Sequence, residues 1–132
     1  MRIVPGYPPN IDAIREVFDL SDKKPVFAYG HLLYNPHDLP LESHIMAHEE
    51  VHERQQVAYG GVETWWRRYL TDTAFRLAQE VEAYREQYRF VKGIIKDRNR
   101  VANFLHLIAT DLSSPMYGGM TTYRKAHRLI TQ

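Results

Sequence analysis

The chain has 132 residues, no cysteine, and a formal net charge of +1 with both signs interspersed. That length predicts one domain over residues 1–132, able to bury roughly two-thirds of its unfolded surface, and excludes a two-domain architecture. Without cysteine there is neither a disulfide framework nor a thiolate metal site, and the balanced charge provides no field for nucleic acid or anionic lipid.

The opening Met1-Arg2-Ile3-Val4-Pro5-Gly6 lacks an apolar leader core, and no later run approaches the roughly 20 apolar residues of a membrane span. A soluble, uncleaved, cytoplasmic protein is therefore expected, with no nucleic-acid or membrane partner. Pro5 to Pro9 reads as an irregular lead-in. Asn10 is then placed to cap a short helix whose Ile11, Ile14 and Phe18 share one face. From Pro25 to Tyr34 the residues are aromatic and β-prone around Gly30, which predicts a hairpin or bent strand ended by Asn35-Pro36. Such a strand could offer its edge to an extended peptide, or simply cover the core.

Leu41, Ile45, His48, His52, Gln55 and Tyr59 then recur at intervals of three and four, the stripe of a buried helix face. Gly60-Gly61 stops that helix. A second follows with Val62, Trp65, Trp66, Tyr69 and Leu70 turned to the core, and a third, capped by Asp72, is expected to run to about Val91. Val101, Phe104, Leu105, Ile108 and Leu112 mark another amphipathic helix, and Tyr123, Ala126, His127 and Ile130 a last one. The cations Lys92, Lys96, Arg98 and Arg100 read as a solvated face, and Ser113 to Gly119 as a loop that could line a cleft. The fold class expected is α+β, mostly helical, with a small antiparallel sheet or hairpin ahead of the histidine-bearing helix.

Chemistry concentrates at His48-Glu49-Glu50-Val51-His52. On a helix, residues i and i+4 stand one above the other about 5–6 Å apart, so both imidazoles can reach one zinc ion at roughly 2.0–2.1 Å. Glu49 is turned about 100° from His48, poorly placed as a ligand but suited to take a proton from a metal-bound water whose pKa falls to near 7. A third ligand must come from elsewhere. His44 lies about 12 Å from His52 along the axis and is left as a supporting or packed residue. Gln55 and Ala58 stand where a metzincin needs Gly and His, which excludes that family.

The remaining candidates are Glu80 and Glu82 on the third long helix. Leu77, Glu80, Tyr84, Tyr88 and Val91 form one stripe in which Glu80 is the only charge, whereas Glu82 can pair with Arg85 at i+3 in a solvated network. Helical phase therefore selects Glu80. Tyr84, Tyr117 and His31 are each candidates to steady a developing oxyanion, and the sequence does not choose among them.

With His48, Glu49 and His52 followed by Glu80 and the small Ala83, the chain resembles the gluzincins, zinc peptidases that complete HExxH with a glutamate from a following helix. It is most similar to their minimal, single-domain (minigluzincin) type and to zincin-like proteins of bacteriophages and prophages. The likeness extends over Phe27 to Asn35, Trp65-Trp66 and Ser113 to Gly118. It departs in having Gln79 where many members carry Asn, and in lacking a second domain. The resemblance implies a zincin-like fold, a Zn2+ cofactor held by His48, His52 and Glu80, Glu49 as general base, and a peptide or protein substrate. The alternative is a zinc-binding module that has lost catalysis and serves as a phage assembly or interaction protein. A carboxylate-bridged di-iron bundle needs Glu-x-x-His twice, and only Glu49 to His52 supplies it.

Overall fold

Residues 1–132 are described by a computed structural model. Gly30 sits at φ +62° and is followed by a residue of negative φ, the pattern of a II′ turn, which lets two short strands pair back to back. These are β2 (Phe27–Tyr29) and β3 (Leu32–Tyr34), antiparallel with Ala28 opposite Leu33. The expected hairpin is present, but the sheet is not purely antiparallel. A third strand, β1 (Arg2–Val4), runs parallel to β3, giving the order β1-β3-β2. Its side chains are mostly exposed, so its three residues carry no burial pattern; backbone pairing with β3 alone defines it.

Six helices make up most of the rest: α1 (Ile11–Val17), α2 (Ser43–Ala58), α3 (Val62–Thr71), α4 (Thr73–Ile94), α5 (Arg98–Leu112) and α6 (Tyr123–Thr131). None is long and apolar enough to cross a membrane. Asp72 caps α4 as expected, its carboxylate accepting from the Phe75 N–H at 3.0 Å. Asn10 does not cap α1; its amide atoms are buried without a hydrogen-bond partner. Helix α2 stops at Ala58, ahead of Gly60 at φ +91° and Gly61 at φ +100°, which leaves Tyr59 exposed rather than on the buried stripe. Helix α4 continues one turn past Val91, to Ile94.

Two apolar clusters form the core. One joins α4, α5 and α6 through Val81, Tyr84, Leu105, Ile108, Leu112 and Ile130; the other joins α1, β2, α3 and the start of α4 through Ile14, Phe18, Phe27, Trp65, Tyr69 and Phe75. Helix α2 lies at their seam. His48 packs edge-on against Tyr84 of the first cluster at 4.5 Å, and His52 tilts against Trp65 of the second at 5.3 Å. Buried Arg76 ties the C-terminal end of α3 to the 3-10 turn Pro115–Tyr117, donating to the carbonyls of Tyr69, Leu70 and Tyr117.

Candidate metal centre

Of the six buried residues of α2, His48, Glu49, His52, Gln55 and Gln56 are polar and only Val51 is apolar. A buried polar face costs stability unless each group finds a partner. The partners come chiefly from α4, the helix with which α2 makes its most extensive packing. Glu80 enters from α4 between the two imidazoles, its Oε1 3.2 Å from His48 Nε2 and its Oε2 3.2 Å from His52 Nε2. All three residues are buried, and one ligand atom from each lies within 4.8 Å of the others. Ala83, fully buried on the next turn of α4, adds no bulk where the helices pack.

This donor set fits a divalent cation. Atoms at the corners of a tetrahedron with bonds of about 2.1 Å stand about 3.4 Å apart; each imidazole Nε2 is 3.2 Å from one of the two Glu80 oxygens, and one ligand atom from each residue lies within 4.8 Å of the others. Glu80 Oε1 is buried and faces only His48 Nε2, without a well-formed hydrogen bond, which leaves it available to a cation. Both Nδ1 atoms face carboxamide oxygens, so each ring turns its Nε2 inward: His48 Nδ1 donates to Gln87 Oε1 at 2.9 Å and His52 Nδ1 to Gln55 Oε1 at 2.8 Å. Gln55 is anchored in turn by donating to the Gln79 carbonyl, and Gln79 Oε1 accepts from the Trp65 indole. Two imidazoles and a carboxylate suit zinc, iron and cobalt alike.

Without metal, the three residues form a charged cluster. Burial alone would lower the pKa of His52, but the Glu80 carboxylate outweighs it and the imidazole is pushed up to about 9. Burial also opposes ionisation of Glu80, yet His52 and then His48 hold its carboxyl well below the usual range. A raised folded-state value means that the His52 contribution is complete below the unfolded value of 6.5 and is lost as pH rises through about 9. The melting temperature of chelator-treated protein should therefore fall between pH 6.5 and 9. A flat profile across that window would show that the pair adds nothing to the metal-free fold. A bound cation stabilises by RT ln(1 + [L]/Kd), about 2.7 kcal/mol at a hundredfold excess, so chelation should lower the melting temperature by about 10 °C. An unchanged melting point would mean that no metal is held by the folded chain.

Glu49 sits beside the cluster on the wall of a cavity of about 90 Å³ that also touches His48, His52 and Glu80. Burial raises its carboxyl pKa, partly offset by the two histidines, and no hydrogen bond from the protein occupies it. The remaining walls are largely apolar, with Phe18, Val26, Phe27, Trp66 and Met116 among them. The loop expected to line a cleft does so through Met116 and Tyr117. The tryptophans prove to be both core and wall.

Three expectations need correction. Glu82 does not pair with Arg85, whose Nε instead donates to the Leu129 carbonyl at 2.7 Å; Glu82 is simply exposed. His31 takes no part in the cavity, since its largely exposed ring pairs with Glu53. Strand β2 does not offer a free edge along its whole length: Gln56 accepts from the Gly30 N–H at 2.7 Å and donates to the Ala28 carbonyl at 2.9 Å, and the Trp66 indole donates to the same carbonyl. Residues 28 to 30 are thus already paired by a side chain that takes the place of a neighbouring strand.

Tyr69, core-facing by periodicity, also reaches the metal cluster, a role that periodicity does not reveal. Its hydroxyl donates to Glu80 Oε2 at 2.7 Å, and burial together with Glu80 keeps the phenol protonated far above its usual range. The one signal available was that a buried tyrosine hydroxyl requires a partner. Tyr84 and Tyr117 share a hydrogen bond of 2.9 Å between their hydroxyls, and only Tyr117 reaches the cavity wall. No protein-family model, curated protein or solved structure matches the chain.

Proposed function

We propose that the chain is a zinc-dependent peptidase of the gluzincin type, with a zincin-like fold, acting on peptide or protein substrates. The observation that carries this reading is the convergence of His48, His52 and Glu80 beside a carboxylate, Glu49, that accepts no hydrogen bond from the protein. His48 and His52 from α2 and Glu80 from α4 would hold the metal. Zinc bound there supplies a Lewis acid that makes water a nucleophile near neutral pH. Glu49, whose carboxyl pKa is raised by burial, takes the proton of the attacking water and delivers it to the departing amine. Tyr69 fixes the Glu80 carboxylate, and the apolar wall excludes bulk water, which strengthens each of these interactions.

A second reading, a zinc-binding module without catalysis that serves in assembly or interaction within a phage particle, is favoured by two observations. The cavity of about 90 Å³ is smaller than the roughly 300–1,000 Å³ of ligand pockets, and Gln56 occupies part of the strand edge. The presence of a buried carboxylate that is not among the converging donors favours the enzyme. The test is to purify the chain without chelator, measure bound zinc, and follow cleavage of a broad peptide library with and without a chelator. Zinc-dependent cleavage supports the peptidase, stoichiometric zinc without cleavage supports the module, and failure to bind any divalent metal overturns both.

A further inference from the structure

Gln87 lies two turns beyond Glu80 on α4 and is buried between α2 and α4. A carboxamide has a fixed polarity, its oxygen only accepting and its nitrogen only donating. Gln87 Oε1 is 2.9 Å from His48 Nδ1, so that nitrogen must carry a proton. Gln87 Nε2 is 2.9 Å from His44 Nδ1, so that nitrogen must present its lone pair. The proton of a neutral His44 then resides on Nε2, which faces Glu42 Oε2 at 3.2 Å on the surface. His48, Gln87, His44 and Glu42 thus form one chain in which every donor points outward from the centre.

We propose that Gln87 is a positioning residue for the metal centre, its carboxamide oriented by His44 and Glu42 so that His48 keeps its proton on Nδ1 and leaves the Nε2 lone pair for the cation that it would share with His52 and Glu80. This inference rests on the metal-site reading and adds a determinant beyond the three ligands. A flipped carboxamide would aim its NH2 group at His48 Nδ1 and force the ring proton onto Nε2, the atom a cation needs. The same flip would require His44 to donate from Nδ1 and to turn an Nε2 lone pair against the Glu42 carboxylate. The His44 ring is held for this role by edge-on packing against Phe104 of α5 at 5.0 Å. His52 needs no such chain, because Gln55 donates to a backbone carbonyl whose polarity cannot reverse. The tautomer of one histidine is therefore set by the backbone, and that of the other by side chains reaching the surface.

The test uses the full chain loaded with zinc, in wild type and in Gln87→Met, Gln87→Glu and His44→Phe. Zinc affinity is measured by chelator competition on that sample, and the His48 tautomer by long-range 15N–1H correlation of the imidazoles after the zinc is removed, because a cation on Nε2 would itself confine the proton to Nδ1 in any variant. Wild type should show a protonated Nδ1 at His48. Gln87→Met, which has the length but no acceptor, should bind zinc about 10–100-fold more weakly and lose that signature. Gln87→Glu, which still accepts from Nδ1, should recover affinity to within several-fold of wild type. A role in packing alone predicts the opposite order, since Met suits a buried site better than a carboxylate. Wild-type affinity in Gln87→Met, or Gln87→Glu as weak as Gln87→Met, overturns the proposal. Should Gln87→Met not fold, His44→Phe decides: the relay requires weaker binding and a changed His48 signal, and an unaltered pair of readings overturns it. Failure of wild type to bind zinc removes the metal site itself and the proposal with it, a result distinct from any difference among variants.

Discussion

Glu80→Gln should release the metal, while Glu82→Gln leaves it bound. Glu80 is 2% exposed and brings the only carboxylate into contact with both imidazoles, so its neutral isostere removes the anionic ligand without changing the shape of the site. The expected loss in zinc affinity is more than about 100-fold, beyond the 10–100-fold carried by a supporting partner, and corresponds to at least about 2.7 kcal/mol. In the metal-free state the same substitution should return His52 toward an ordinary imidazole, because Glu80 is what raises it. Glu82 is exposed and makes no contact with the cluster, so its variant serves as a control for charge at that end of α4. Competition with a chelator measures both. Equal zinc retention by the two variants would overturn the assignment of Glu80.

The burial of Glu80 was legible because helical phase reports exposure. A lone carboxylate among Leu77, Tyr84, Tyr88 and Val91 had to be inside, and it is. The same logic placed His48 and His52 correctly and failed at Tyr59, since the glycine stop ends the helix before its phase can matter. What periodicity does not carry is the identity of partners across elements. Gln55, Gln56, Gln79 and Gln87 are all nearly fully buried, yet glutamine is ordinarily a surface residue, and only Gln55, on the buried stripe of α2, is marked by periodicity. Each becomes explicable only when the group opposite is known: an imidazole, a strand edge, an indole, or a second imidazole. Strand β1 escaped for the related reason that its pairing lies in backbone groups some thirty residues away.

The seam between the two apolar clusters gives the polar face of α2 its physical sense. A helix packed on both sides by aromatic side chains would ordinarily present apolar residues, and burying five polar ones there is tolerated only because α4 and β2 return a partner to nearly every one. Glu49 is the exception. It lies in the same buried row, receives no hydrogen bond from the protein, and faces the cavity.

Glu49→Gln should keep the metal and lose hydrolysis, whereas His48→Ala should lose both. Position 49 is not among the three converging donors, so an amide there leaves the coordinating atoms in place and even relieves the cost of burying a charge. Glutamine cannot accept the proton of an attacking water at neutral pH, and general-base catalysis contributes about 10²–10⁴-fold, or roughly 2.7–5.4 kcal/mol of barrier. The thermal stability of Glu49→Gln should be equal to or above that of wild type, which separates a catalytic defect from a folding one. Bound zinc, melting temperature and peptide cleavage measured on the same three preparations test the assignment together. If wild type cleaves and Glu49→Gln cleaves as fast with full zinc, the proton is taken elsewhere and the mechanism fails. If Glu49→Gln instead loses zinc along with His48→Ala, Glu49 belongs to the metal site itself, and the division of roles between positions 48 and 49 is wrong.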